Sequence, residues 1–281
     1  MTTAAVIGAG ELGGAVAYAI AAREAVSQVV IIDSAGSAAA GKALDLQQMG
    51  AISGWHTRVR GSSDVSDVIG CGVCIVADRF RSASGETQGD EGRTLLESLA
   101  SSLGDAPVIF AGADHAQLLA AAVAAGYPRG RIIGSSTEAF ASSVRAMVAL
   151  EARCAPAEVS LSVLGTPPAG LVVAWSEAAI GGHALDRIVS TVELNRIQLR
   201  VSRLWPPGPL TLGLAAAAAA EAVIRSSRRA FSLMTVLDGE LGVRGRVAAL
   251  PVFLNPAGIA GTRVPSLSTR EQILLETALG S

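Results

Sequence analysis

The chain has 281 residues, half of them hydrophobic and only 16% charged, with a formal net charge of −2 and a sequence pI near 6.0. That length exceeds what one core normally fills, so two lobes around a cleft are expected. The scattered basic residues exclude the concentrated positive face of a nucleic-acid binder, and so little charge predicts that subunit contacts cover apolar surface.

The first stretch organises the rest. Thr3-Ala4-Ala5-Val6-Ile7 reads as a strand, runs into Gly8-Ala9-Gly10-Glu11-Leu12-Gly13-Gly14, and after a helical segment meets the second strand Val29-Val30-Ile31-Ile32, which ends at Asp33. Gly8, Gly10 and Gly13 have the G-x-G-x-x-G spacing: a tight turn, a backbone that approaches a pyrophosphate, and a helix that packs closely on its strand. Asp33 falls where a carboxylate accepts ribose hydroxyls and repels a 2′-phosphate, which favours NAD as the cofactor. The predicted cofactor-binding residues are Gly8, Gly10, Glu11, Leu12, Gly13 and Asp33. The N-terminus has no basic leader and carries Glu11, so it does not read as a signal peptide.

Further along, a helix is predicted over 41–48, a short strand over 58–61 and a strand over 73–77. Cys71 and Cys74 bracket the start of that strand; positions three apart in a strand face opposite sides, which argues against a redox or metal pair. The third cysteine is Cys154, and three thiols so spaced form no disulfide framework, which suits a reducing cytoplasm. A helix over 93–103, a strand over 108–111, a helix over 116–125 and a strand over 131–134 complete six alternating strands, a doubly wound parallel sheet. A helix over 139–150 then leads into two β-branched runs, 159–164 and 171–175, with hairpin-like spacing. This change of rhythm sets two domains, 1–136 and 137–281. The second alternates helices over 184–203 and 210–228 with strands over 232–237 and 247–252. A last helix over 272–279 starts from the capping-box spacing Ser268-Thr269-Arg270-Glu271. The apolar run 210–224 is interrupted by Thr211, Gly213 and Glu221, so no membrane span is expected.

Across nearly its whole length the chain resembles the lactate/malate dehydrogenase family. The matches beyond Gly8–Gly14 and Asp33 are Gly41-Lys42-Ala43-Leu44-Asp45-Leu46, the segment from Gly126-Tyr127-Pro128 to Ile133-Gly134, Val163-Leu164-Gly165 followed by Trp175-Ser176, and Asp238-Gly239-Glu240-Leu241-Gly242. The resemblance implies a Rossmann-type α/β domain followed by an α+β lactate/malate dehydrogenase-like C-terminal domain. It also implies NAD as cofactor and a homodimer or homotetramer through the helix that begins near Gly41.

The family mechanism uses a histidine to exchange the hydroxyl proton, an aspartate to hold it, an arginine to clamp the substrate carboxylate, and an asparagine beside the nicotinamide. At the matching positions this chain has Pro167, Phe140, Ser143 and Gly112. The Thr-Ala-Gly that carries the cofactor past the fourth strand is replaced by Ala77-Asp78-Arg79. General acid/base assistance alone contributes about 100- to 10,000-fold, so losing the set removes the family mechanism. Candidate replacements are His115, just beyond the fifth strand, Glu138 in the neighbouring loop, and Arg93 among the arginines Arg79, Arg81 and Arg93 of the altered mobile loop. His56 and His183 read as surface residues. Three functions follow: an NAD-binding pseudoenzyme, an NAD-dependent oxidoreductase with a new substrate and a recruited acid/base, or a structural partner of an active dehydrogenase.

Overall fold

In the computed structural model, residues 2–79, 87 and 89–280 are described. The first half alternates β1 (Thr3–Ile7), α1 (Glu11–Ala22), β2 (Gln28–Ile32), α2 (Gly36–Ser53), β3 (Arg58–Ser62) and β4 (Val73–Val76). It continues with α3 (Gly89–Ala100), β5 (Val108–Phe110), α4 (Ala116–Ala124) and β6 (Ile132–Gly134). These six strands are parallel, in the order β3-β2-β1-β4-β5-β6. The near-continuous apolar sequences of β1, β2, β4, β5 and β6 follow from burial on both faces, whereas the edge strand β3 exposes Arg58 and Arg60. Val6, Val29, Ile31 and Ile75 join one core with α1, while Ile7, Val30, Ile32 and Val76 join a second with α3 and α4.

The second half comprises α5 (Ser136–Ala152), β7 (Val159–Ser160), β8 (Val163–Thr166), β9 (Gly170–Val173), β10 (Ala179–Ile180), β11 (His183–Ala184) and α6 (Thr191–Val201). It closes with α7 (Pro209–Arg225), β12 (Phe231–Asp238), β13 (Arg244–Asn255), β14 (Gly258–Thr262) and α8 (Thr269–Gly280). The sheet does not stop where the parallel strands end: β12 pairs antiparallel with β6, and β13, β8 and β9 extend the same sheet. The alanine-rich α7 lies against α1, where a Cβ on Gly213 would stand 2.6 Å from the Ala15 methyl, so small residues permit the close approach.

Several expectations need correction. The helix expected over 184–203 begins only at Thr191, because Ser190 and Glu193 form a capping box there, and His183–Ala184 pairs as a strand. β14 was not anticipated; Asn255 accepts from the Ala257 amide and turns the chain back onto β13. Cys71 lies outside β4, so the three-apart rule does not separate it from Cys74, and both thiols enter the same core. Burial raises Cys71 to about 11 and Cys74 well above its ordinary value, so both stay protonated and inert. The final helix starts as expected, with Ser268 donating its amide to the Glu271 carboxylate at 2.8 Å.

Candidate functional site

Strand order reverses between β1 and β4, and ligands in open α/β sheets bind at such a switch point, outside the carboxyl ends of the strands. The glycine turn follows β1 there. Gly8 has φ +111°, and a Cβ on it would stand 1.8 Å from the Asp78 carbonyl oxygen, so only glycine fits. Asp33 closes the other side of the turn. Its Oδ2 accepts from the Ala9 amide at 2.8 Å and its Oδ1 from the Ala35 amide at 2.8 Å. Leu12 is buried and Glu11 is exposed in the first turn of α1.

The adjacent strand β4 delivers Asp78 into this turn. Its Oδ1 accepts from the Gly13 amide at 2.7 Å and its Oδ2 from the Leu12 amide at 3.0 Å, while its carbonyl accepts from the Gly10 amide at 3.3 Å. A Cβ on Gly10 would stand 2.3 Å from Asp78 Oδ2. These first-turn amides form an oxyanion cradle, the place a pyrophosphate takes at a helix N-terminus. Asp33, the acid expected to meet the ribose, stands at the end of β2, whereas the pyrophosphate cradle, with Asp78 in this position, is filled by the chain's own carboxylate and does not fit the cofactor. Sequence reasoning registered Asp78 only as a departure from a motif; the signal was an acid directly after the strand beside β1.

The candidate acid/base residues are held by different partners. His115 is fully buried at the start of α4, edge-on to Phe110 with ring centroids 5.8 Å apart. Its Nδ1 accepts from the Gly112 amide at 3.0 Å. Burial lowers it to about 4 despite a backbone hydrogen bond with Thr87 that opposes the shift, so the imidazole is neutral. Glu138 is engaged elsewhere: its carboxylate accepts from Arg145, from Arg229 at 2.6 Å and from the Ser232 amide at 2.8 Å, tying α5 to β12. Arg93 projects from α3 into solvent, 3.6 Å from Asp90. Arg79 pairs with Glu91, and Arg81 lies outside the described residues.

Phe140, Ser143 and Pro167, which the resemblance implies stand at substrate-site positions, make local contacts. Phe140 is buried, its ring 6.1 Å from that of Trp205. Ser143 donates its hydroxyl to the Ala139 carbonyl, and Pro167 enters a cis peptide bond with Pro168. A cleft of about 320 Å³ runs between Pro167, Trp205 and the start of α4, and Asp114 is the charged side chain among its described lining residues. A larger cavity of about 870 Å³, on the far side of Trp205, is walled by Phe140, Trp175, Leu185 and Leu194, with Arg270 and Glu271 in its lining.

Among the described residues no group of three or more His, Cys, Asp or Glu side chains is placed to hold a metal ion. Among them too, no single helix is long and apolar enough to cross a membrane; the bent pair 191–204 and 209–225 passes by length and composition alone, and α7 is largely buried.

Residues 2–99 match the NAD-binding domain of the lactate/malate dehydrogenases. The chain is 26% identical to malate dehydrogenase of Myxococcus xanthus, over 98% of this chain and 93% of that protein, and 27% identical to that of Staphylococcus carnosus, over 98% and 94%. Among solved structures it superposes on malate dehydrogenase of Salinibacter ruber with a TM-score of 0.90, at 24% identity over 99% of this chain and 94% of that one. Lactate dehydrogenase of Cryptosporidium parvum, solved with lactic acid and NAD, gives 0.90 at 22% identity, over 99% and 95%. Residues 2–99 thus carry the NAD-binding domain of the lactate/malate dehydrogenases, and along nearly its whole length the chain is similar to malate dehydrogenases.

Proposed function

We propose that this protein is an NAD-binding member of the family that no longer interconverts 2-hydroxy and 2-oxo acids, a cofactor-binding pseudoenzyme. The observation that carries this reading is the substitution of the substrate chemistry by packing. Phe140 and Pro167 have no transferable proton, and the Ser143 hydroxyl is spent on a backbone carbonyl. The lining of the neighbouring cleft adds Asp114, an acid that opposes the negative charge of a keto-acid carboxylate. His115 is buried beside Phe110, Glu138 is held by Arg145, Arg229 and the Ser232 amide, and Arg93 faces solvent, which weighs against a recruited acid/base pair. In this reading His115 holds the loop after β5 and Glu138 holds α5 to β12.

The site also belongs to a homo-oligomer: Leu44 and Ile52 stand 61% and 89% exposed on α2, apolar area that a second subunit would cover. Two buried free thiols suit a cytoplasmic location. The test is a steady-state assay of malate, lactate, oxaloacetate and pyruvate with NAD or NADH. The expected result is no turnover above the uncatalysed reaction, and robust turnover of any of the four would overturn the reading.

A further inference from the structure

Asp78 is a buried carboxylate to which the proposed function gives no task. It is 8% exposed and receives two amide hydrogen bonds from the first turn of α1. An ionised carboxylate carries the charge and the acceptor geometry that these amides would offer a phosphate, so it satisfies the cradle as a ligand would. The fit is steric as well as electrostatic, since Asp78 Oδ2 lies where a side chain on Gly10 would start, the space a G-x-G turn leaves open for cofactor backbone contact.

We propose that Asp78 is an intramolecular competitor of the dinucleotide: its carboxylate occupies the pyrophosphate position, and NAD(H) binds only in the fraction of molecules whose Asp78 side chain has turned out of the glycine loop. The proposal rests on the reading of this site as a dinucleotide site and names how that site is regulated. When only part of the population is competent, the apparent dissociation constant rises in inverse proportion to that part. Even a displaced Asp78 would stand close to a doubly negative pyrophosphate and oppose it. Asp33 holds its own bonds to Ala9 and Ala35, so the ribose end of the site stays formed while the phosphate end is closed. Ligands that carry a pyrophosphate are therefore penalised, and ligands that end at the nucleoside are not.

The test titrates NADH by its fluorescence into the wild type, Asp78→Ala and the near-isosteric Asp78→Asn, with thermal melting to verify that each is folded. Adenosine, followed by ligand-observed NMR, is the control without phosphates. The expected result is that Asp78→Ala binds NADH at least about tenfold more tightly than the wild type, with Asp78→Asn between them and adenosine affinity unchanged. If Asp78→Ala does not fold, tightening by Asp78→Asn alone supports the proposal. Equal NADH affinity in the wild type and both variants overturns the competitor and leaves the dinucleotide reading standing, as does an equal gain for adenosine. Absence of NADH binding to any variant at millimolar concentration overturns both.

Discussion

Glu138→Ala separates a structural carboxylate from a catalytic one. Glu138 is 2% exposed and accepts from Arg145, whose side chain is only 14% exposed, from Arg229 and from the buried Ser232 amide. Truncation leaves the Arg145 guanidinium partly buried without its counter-charge and removes the acceptor of a buried amide. Breaking a buried pair from one side costs about 3–5 kcal/mol. Arg229, half exposed and stacked over Phe231 with its guanidinium 4.6 Å from the ring centroid, adds little to that loss because solvent screens it. For a chain of this size about 2 °C of Tm accompanies each kcal/mol, so Glu138→Ala should melt roughly 6–10 °C below the wild type. Glu138→Gln, which keeps an acceptor for the Ser232 amide, should lose less. Melting followed by circular dichroism, with urea unfolding at the same pH, measures both. A Glu138→Ala variant that melts within about 1 °C of the wild type would refute the ion-pair assignment.

Other outcomes follow from the same contacts. Because burial holds His115 near 4 while the unfolded chain protonates it at about 6.5, the unfolded state binds more protons between these values, and stability falls as pH drops through that window. The slope approaches about 1.4 kcal/mol per pH unit, and His115→Phe should flatten it; superimposable acid-unfolding profiles for the two proteins would contradict this. With Cys71 and Cys74 buried and held protonated, only the partly exposed Cys154 should react quickly with a thiol reagent in the native protein. Fast reaction of all three would place Cys71 and Cys74 elsewhere. Gly8→Ala should destabilise by several kcal/mol or prevent folding, since the new methyl meets the Asp78 carbonyl and the residue keeps a positive φ; a wild-type melting point in that variant would refute the packing.

Much of the fold was legible because local chemistry and long-range packing agree. Ile7-Gly8 and Ile32-Asp33 end two adjacent parallel strands, so apolar runs, a glycine turn and a terminal acid suffice to place them side by side. Ser268 and Glu271 announce a helix start three residues apart in the chain, and the helix is there. The same spacing at Ser190 and Glu193 lies inside the helix expected over 184–203 and marks where α6 begins. Partners far apart in sequence were not legible. Glu138 stood near His115 by strand order, yet Arg229, ninety-one residues on, captures its carboxylate. Asp78 is sixty-five residues from Gly13, and nothing local to either says that one carboxylate will point at the other's amide. Side-chain direction at a strand end is set by the neighbouring turn, which is a property of the sheet.

We propose a protein that retains a dinucleotide site, closed at its phosphate end by Asp78, without the reaction of the dehydrogenases it resembles. Asp78→Ala, saturated with NADH and supplied with oxaloacetate or pyruvate, isolates that claim by opening the cradle while leaving Pro167, Phe140 and Ser143 untouched. Bound NADH that is not oxidised above the uncatalysed rate is the predicted result. Oxidation of NADH with release of malate or lactate would contradict it.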